Sequence, residues 1–393
     1  MLPLHTHGKI LGSFPSYPVK ILGLSEALTT PLPRERVAVQ LDDVTPVDHG
    51  SLSKLGFAAV QVAKLDGETS ALPVLHSLAM PAVVASGDVI QVRPESGHVA
   101  VLYRRSSTAN SLFITERCNS YCLMCSQPPR NVNDDWRIGQ LRELVELIDP
   151  FVPTIGVTGG EPTLAGDHFT DLLRHARSNL PDTHLHVLTN GRLLSTGTFV
   201  DKFDGLQGHV TWAIPLYADL AEVHDHIVQA RGAFYDTLEG IYNLQQRGHA
   251  IEVRYVLNKL TAPRIESFAD FAIRNLPFVS NVAFMGLEPM GFAKVNREPL
   301  WIDPVDYAPA LTDTVLRLDW CGLPVSIFNL PLCVLPRSVW RFMHKSISDW
   351  KRVYDPICAN CAVRSRCGGF FRSAGDSWKS SALAPIVDGG TTA

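Results

Sequence analysis

The chain has 393 residues, room for two or three domains at about 150 residues each, which excludes a small module held together only by disulfides. Hydrophobic residues make up 46% and charged residues 19%, below the roughly 25% usual in globular chains, so long disordered stretches are excluded except at the ends. Lys and Arg total 35 against 39 Asp and Glu, a formal net charge of -4, and no basic run forms a phosphate-neutralising stripe, so nucleic acid is not an expected partner.

No window holds the about 18 apolar residues of a membrane span, and the first residues lack a charged segment followed by an apolar one. The expectation is a soluble, cytoplasmic protein with no membrane partner. In a reducing compartment the 8 cysteines argue for metal ligation or catalysis rather than disulfides.

In chain order, residues 1–107 read as a small β-rich domain, with short β-branched runs at 36–41 and 58–62 between Pro, Gly and Asp turns. Runs at 89–93 and 99–103 flank Pro94-Glu95-Ser96-Gly97, the pattern of a hairpin. From Ser111 to about Asp319, strand-like and helix-like runs alternate, the signature of parallel βα units. The expected strands are 112–116, 154–158, 185–189, 210–216, 251–257 and 281–287. Between them Leu141, Leu144, Val145 and Ile148, and then Phe169, Leu172, Leu173 and Ala176, repeat at helical spacing. Six consecutive units predict an α/β fold with a partial (β/α)6 barrel over 108–320. Beyond it the alternation is expected to stop, leaving a Cys-rich extension at 321–393 that frays after Ser377.

Cys118, Cys122 and Cys125 form a C-x3-C-x2-C set directly after the first expected strand. Three thiolates from one loop suit zinc or iron–sulfur chemistry. A structural zinc site wants a fourth protein ligand and none is near in sequence, whereas a four-iron cluster held by three cysteines keeps one iron open for substrate. At the end of the next strand stands Gly159-Gly160-Glu161-Pro162, where glycines admit close backbone approach and a carboxylate can meet an ammonium group. The third and fourth strands end near Asn190 and Tyr217, on the rim where parallel barrels build their sites.

A second set, Cys333, Cys358, Cys361 and Cys367, supplies four thiols and so a closed site, either structural zinc or a second iron–sulfur cluster. Cys321, before Gly322 at an expected helix end, reads as a buried free thiol. Among 14 histidines, His184 and His186 share one strand face and His224 and His226 lie two apart, so neither pair is a convincing ligand set. His224 or Asp225 is a candidate for lining the site, and no general acid or base is assignable.

The three-cysteine loop and the Gly-Gly-Glu-Pro segment resemble the radical S-adenosylmethionine (SAM) enzymes. That resemblance implies a SAM-binding [4Fe-4S] cluster on Cys118, Cys122 and Cys125. It further implies cofactor contacts from Met124, Gly159, Gly160, Glu161 and Pro162, and from a rim of Asn190, Tyr217 and Asn258. It also implies that Cys333, Cys358, Cys361 and Cys367 hold an auxiliary [4Fe-4S] cluster. From about residue 86 the chain is similar to one subgroup, the type C maturases of the His-Xaa-Ser repeat system. The similarity runs through Cys122-Leu123-Met124-Cys125-Ser126-Gln127-Pro128-Pro129, Thr158-Gly159-Gly160-Glu161-Pro162-Thr163-Leu164 and Gly286-Leu287-Glu288-Pro289-Met290-Gly291-Phe292-Ala293. It continues from Ser346-Ile347-Ser348-Asp349-Trp350 to Cys367-Gly368-Gly369-Phe370-Phe371. The implied activity is hydrogen abstraction from a ribosomally made peptide with His-Xaa-Ser repeats. The implied partners are a companion radical enzyme, a small accessory protein and an external electron donor. Two other readings are a radical enzyme of sulfatase, tetrapyrrole or molybdenum cofactor maturation, and a non-enzymatic metal-binding adaptor.

Overall fold

The computed structural model describes residues 3–42, 48–65, 69–345 and 353–387. Residues 346–350, part of the sequence resemblance, lie outside them. The chain divides into two compact units, the first being Met1–Leu112 with Asp135–Ile155 and Asp171–Thr183, the second Phe113–Asp134, Gly156–Thr170 and His184–Ala393.

The first unit is built on strands β1 (His5–His7), β2 (Lys9–Leu11), β3 (Val19–Gly23), β4 (Val37–Gln40), β5 (Ala59–Gln61), β6 (Val74–His76), β7 (Val89–Arg93) and β8 (His98–Tyr103). Their order is β1-β8-β7-β3-β4-β5-β6-β2. Since β1 and β2 are one extended segment interrupted at Gly8, both edges of the sheet belong to the same stretch of chain and the sheet closes on itself. A side chain at Gly8 would meet Leu75 Cδ1 at 2.8 Å and Leu78 Cδ2 at 2.9 Å, so a larger residue there would have to displace both leucine tips. One apolar cluster gathers Ile21, Ala38, Ala59, Leu75, Ile90 and Val99. The alternate positions Leu22, Val37, Val39, Val60 and Val74 pack with Ala27 of α1 (Leu24–Thr29) and Leu52 of α2 (His49–Lys54). These short helices join the parallel strands β3, β4 and β5, a connection that the β-rich composition does not announce. The expected hairpin is present, with Arg93 opposite His98 and Pro94 to Gly97 as its loop.

Helix α3 (Trp136–Leu147) belongs to this unit and buries Leu141, Leu144 and Val145 as its periodicity requires. Just past its end Lys20 Nζ, on a side chain 3% exposed, donates to Leu147 O at 2.8 Å and Asp149 Oδ1 at 2.6 Å. Burial pushes the Asp149 carboxyl up, but hydrogen bonds from Arg105 and Lys20 outweigh it and hold the pKa at about 2.

The second sheet runs in sequence order through β9 (Ser111–Phe113), β10 (Thr154–Thr158), β11 (His184–Leu188), β12 (Val210–Pro215), β13 (Ala250–Leu257), β14 (Asn281–Gly286), β15 (Val325–Phe328) and β16 (Met343–His344). Every neighbouring pair from β11 to β16 is parallel. This is the expected α/β partial barrel, extended by β15 and β16 beyond six strands. The alternation therefore continues past residue 320, where it was expected to stop. Along β13, Ile251, Val253, Tyr255 and Leu257 are buried, the Tyr255 ring packing at a tilt on Phe268 of the helix Ile265–Asn275 with centroids 4.4 Å apart. Glu252, Arg254 and Val256 face the opposite, lumenal side.

Two further expectations are corrected. The chain after Ser377 does not fray as far as residue 387. Ser381 N donates to Asp303 Oδ2 at 2.7 Å and Ala362 N to Ile386 O at 2.8 Å, which ties the segment down. Cys321 is exposed rather than buried, because it caps the C-terminus of the helix Pro304–Trp320 on its solvent side. Among the described residues no helix is long and apolar enough to cross a membrane.

Candidate functional site

The loop after β9 has no regular structure of its own, and its backbone is fixed by neighbours. Gly160 N donates to Thr115 O at 2.7 Å and Glu161 N to Arg117 O at 2.8 Å. A side chain at Gly160 would meet Arg117 O at 2.2 Å, so the second glycine is required by close approach of the two loops. Tyr121 N and Leu123 N donate to Val228 O at 3.0 Å and Ile227 O at 2.9 Å. From the other side Phe292 N donates to Cys125 O at 2.8 Å and Asn296 Nδ2 to Leu123 O at 2.9 Å. The segment from Gly286 to Ala293, singled out in the sequence, is thus one of the clamps on the cysteine loop.

Cys118, Cys122 and Cys125 are each partly buried. Burial, reinforced by Glu161 and the Cys125 sulfur, pushes the Cys118 thiol up to about 11, and burial raises Cys122 and Cys125 as well. Gathered thiolates in a desolvated pocket repel one another, an arrangement that a bound metal centre relieves. Met124 is 7% exposed and packs with Tyr217, Ile227, Val228 and Ala293 beneath the loop.

Glu161 is fully buried. Its Oε1 accepts from Thr163 N at 3.0 Å, Thr163 Oγ1 at 2.6 Å and Thr189 Oγ1 at 2.6 Å, and its Oε2 from Asn190 N at 2.6 Å. The carboxylate therefore ties the Gly-Gly-Glu-Pro turn to the end of β11. Asn190 in turn donates through Nδ2 to Asn119 Oδ1 at 2.6 Å, inside the cysteine loop. Arg192, which sequence reasoning passed over, donates to Asn119 O at 2.6 Å while paired with Asp236 at 3.2 Å. A basic residue two positions beyond a strand-end Asn was its only signal.

Asn258 offers no solvent-open surface. It is 0% exposed, and its Oδ1 accepts from Leu260 N at 2.9 Å and Thr261 N at 3.3 Å, closing an Asx turn after β13. His224 and Asp225 line no open site either. His224 is buried against Tyr217, with ring centroids 5.8 Å apart and Tyr217 N donating to its Nδ1 at 3.2 Å. Burial lowers its pKa to about 4, so it is neutral at pH 7. Asp225 accepts from Gly232 N and Phe234 N at 2.8 Å or less, starting the helix Ala233–Gln246.

The second cysteine set converges. Cys333, Cys358, Cys361 and Cys367 line one cavity together with Tyr354, Leu383, Ala384 and Ile386. Leu332 N and Gly369 N approach Cys367 Sγ at 3.4 Å, and Ile386 N approaches Cys361 Sγ at 3.4 Å. Among the described residues, no group of three or more His, Cys, Asp or Glu side chains is arranged to hold a metal ion.

Residues 112–272, which carry the cysteine loop, the Gly-Gly-Glu-Pro turn and the strands through β13, match the model of the radical SAM superfamily. The chain carries a radical SAM domain over these residues. Two curated relatives are each 26% identical to it. The Fe-coproporphyrin III synthase of Methanosarcina barkeri aligns over 161 residues, 40% of this chain and 39% of the relative. The GTP 3',8-cyclase of Petrotoga mobilis aligns over 197 residues, 48% of this chain and 58% of the relative. The chain thus spans about two to three fifths of the length of these relatives. Among solved structures, SuiB of Streptococcus suis with its precursor peptide SuiA is matched at TM-score 0.44 and 16% identity, over 58% of this chain and 49% of that one. His-tagged anSMEcpe with bound AdoMet is matched at TM-score 0.48 and 15% identity, over 70% of this chain and 88% of that one.

A radical SAM domain works with a four-iron cluster and S-adenosylmethionine. The donor set after β9 fits the cluster, since three soft thiols from one clamped loop leave one iron for the cofactor. Glu161→Gln places an amide donor among groups that already donate to the carboxylate, which displaces the turn. The expected result is a tenfold to hundredfold rise in the SAM dissociation constant, about 1.5 to 3 kcal/mol, with a lowered melting temperature and iron retained. Calorimetry and a thermal scan check it. Unchanged affinity together with lowered stability would leave Glu161 a purely internal strut.

Proposed function

We propose that this radical SAM enzyme matures a ribosomally made peptide carrying His-Xaa-Ser repeats, with an auxiliary four-iron cluster on Cys333, Cys358, Cys361 and Cys367. The observation that carries the reading is the convergence of these four cysteines on one cavity within a Cys-rich extension. The similarity of the chain to the type C maturases supplies the substrate class. A second reading, an enzyme of tetrapyrrole or molybdenum cofactor maturation, is favoured by the two curated relatives at 26% identity.

A four-iron cluster held by Cys118, Cys122 and Cys125 would supply the electron for reductive cleavage of S-adenosylmethionine, and so the means of hydrogen abstraction from the peptide. The chain's own part is positioning. Cys118, Cys122 and Cys125 hold the cluster, and the Glu161–Thr189–Asn190 ties set the turn and strand end that border it. The apolar group around Met124 and Tyr217 keeps water from beneath the loop. An external donor supplies the electron, and a companion radical enzyme and a small accessory protein complete the proposed system.

The test is coexpression with a His-Xaa-Ser repeat peptide followed by mass spectrometry. A mass change dependent on Cys118 is the expected outcome. An unmodified peptide alongside turnover of a porphyrin or nucleotide substrate would favour the second reading.

A further inference from the structure

The lumenal face of the second sheet carries a charged row that the cysteine loops do not use. Strand register places Glu252 beside Asn281, Arg254 beside Pro215 and Ala283, and Ala283 beside Ser326. Ser326 Oγ donates to Asn281 Oδ1 at 3.1 Å, Asn281 Nδ2 donates to Glu252 Oε2 at 3.1 Å, and His186 Nε2 stands 3.6 Å from Glu252 Oε1. Glu252 is therefore committed to its neighbours on both oxygens.

Arg254 is not committed in this way. Its Nε lies 3.4 Å from Glu252 Oε1, is sealed from solvent and makes no hydrogen bond. Among the described residues the guanidinium has this one ion pair, although it carries five N–H donors, and its side chain keeps 16% of its surface open. Water can satisfy the terminal N–H groups in the half-closed lumen, and the paired acceptors of a ligand would replace it there. The next residue on the same face, Val256, packs against the group of Met124, Tyr217 and Ala293 beneath the cysteine loop. Same-face neighbours are about 7 Å apart along a strand, so Arg254 stands one layer below the loop that holds the first cluster.

We propose that Arg254 is a substrate-recognition residue whose guanidinium takes a carboxylate of the molecule bound in the lumen. A planar fork matches the two oxygens of a carboxylate. Glu252 disfavours a dianion such as a phosphate, because its own negative charge already sits beside the guanidinium. The proposal rests on the peptide reading, under which the carboxylate belongs to an Asp or Glu side chain of the peptide. The line from Ser326 through Asn281 to Glu252 fixes the arginine's near side and leaves its terminal nitrogens for the ligand.

The test uses the reconstituted enzyme with S-adenosylmethionine and two fluorescent peptides, one of His-Glu-Ser and one of His-Gln-Ser repeats, followed by anisotropy. The Glu peptide is expected to bind the parent enzyme about tenfold to a hundredfold more tightly. That preference should vanish in Arg254→Gln and partly return in Arg254→Lys, with SAM affinity changed by less than about twofold on calorimetry. A preference that survives in Arg254→Gln overturns the assignment. So does a loss of SAM affinity in that variant with the peptide preference intact, which would give the arginine to the cofactor's carboxylate. Equal binding of both peptides to the parent sinks the Arg254 assignment alone and decides the matter even if the variants fail to fold. Binding of neither peptide, with 5′-deoxyadenosine still formed, sinks the peptide reading and the assignment with it.

Discussion

Replacing Cys118, Cys122 and Cys125 together by alanine is expected to abolish 5′-deoxyadenosine formation and to leave about four irons of the about eight in the reconstituted parent. The two cysteine sets share no ligand, so each centre should load independently. The first set sits in a loop whose backbone is clamped by Val228, Ile227 and Phe292, contacts that involve no cysteine side chain. The loop should therefore survive loss of the thiols, and the fold with it. At pH 7 these thiols, their pKa values raised by burial, are neutral in the folded and the unfolded metal-free protein alike, so their loss relieves no ionisation penalty and the metal-free variant should melt at or slightly below the parent. Iron and sulfide assays, product chromatography and a thermal scan of the metal-free protein check these points together. Retention of about eight irons would remove the cluster from this loop. Zinc in place of the remaining four would remove the auxiliary cluster and leave the first assignment intact.

What could be read in advance follows from how local each feature is. The strand Thr154–Thr158 and the helix with Leu141, Leu144 and Val145 were legible because alternation and helical spacing act within a few residues. Strand β15 has four residues and β16 two, too short for any period to stand out, and their place is set by pairing with β14 and with each other. Closure of the first sheet depends on His7 meeting His98 across most of that unit, a pairing that no local pattern encodes. In the site, the C-x3-C-x2-C spacing was legible because it lies within a single loop. The role of Glu161 was only half legible: its partner Thr189 lies 28 residues away on another strand, so the saturation of the carboxylate appears only in three dimensions. The turn at Asn258 was in view, since the Asn-x-x-Thr spacing to Thr261 is that of a side chain returning to its own backbone. The tail after Ser377 has a composition that signals fraying, yet Leu383, Ala384 and Ile386 form one wall of the cysteine cavity.

Cys333→Ala and Cys321→Ala should behave oppositely. Cys333 is held 25 residues before Cys358 in sequence, but both line the same cavity, whereas Cys321 lies exposed at the end of its helix. Burial pushes the Cys333 thiol up, and the sulfurs of Cys367 and Cys358 add to the effect, which requires the three to be near one another. Loss of Cys333 opens a site that four thiolates would otherwise close, so the auxiliary centre should become labile and peptide modification should stop. Cleavage of S-adenosylmethionine needs only the first cluster, so 5′-deoxyadenosine should still form, uncoupled from product. Cys321→Ala removes an exposed thiol with no partner among these residues, and its iron content, 5′-deoxyadenosine yield and product mass should match the parent. Measuring all three quantities in both variants separates the roles. A Cys321→Ala protein that lost its second cluster would reverse the assignment of the fourth ligand. A Cys333→Ala protein that still modified peptide at the parent rate would confine the C-terminal cavity to a structural part, with the chemistry resting on Cys118, Cys122 and Cys125 alone.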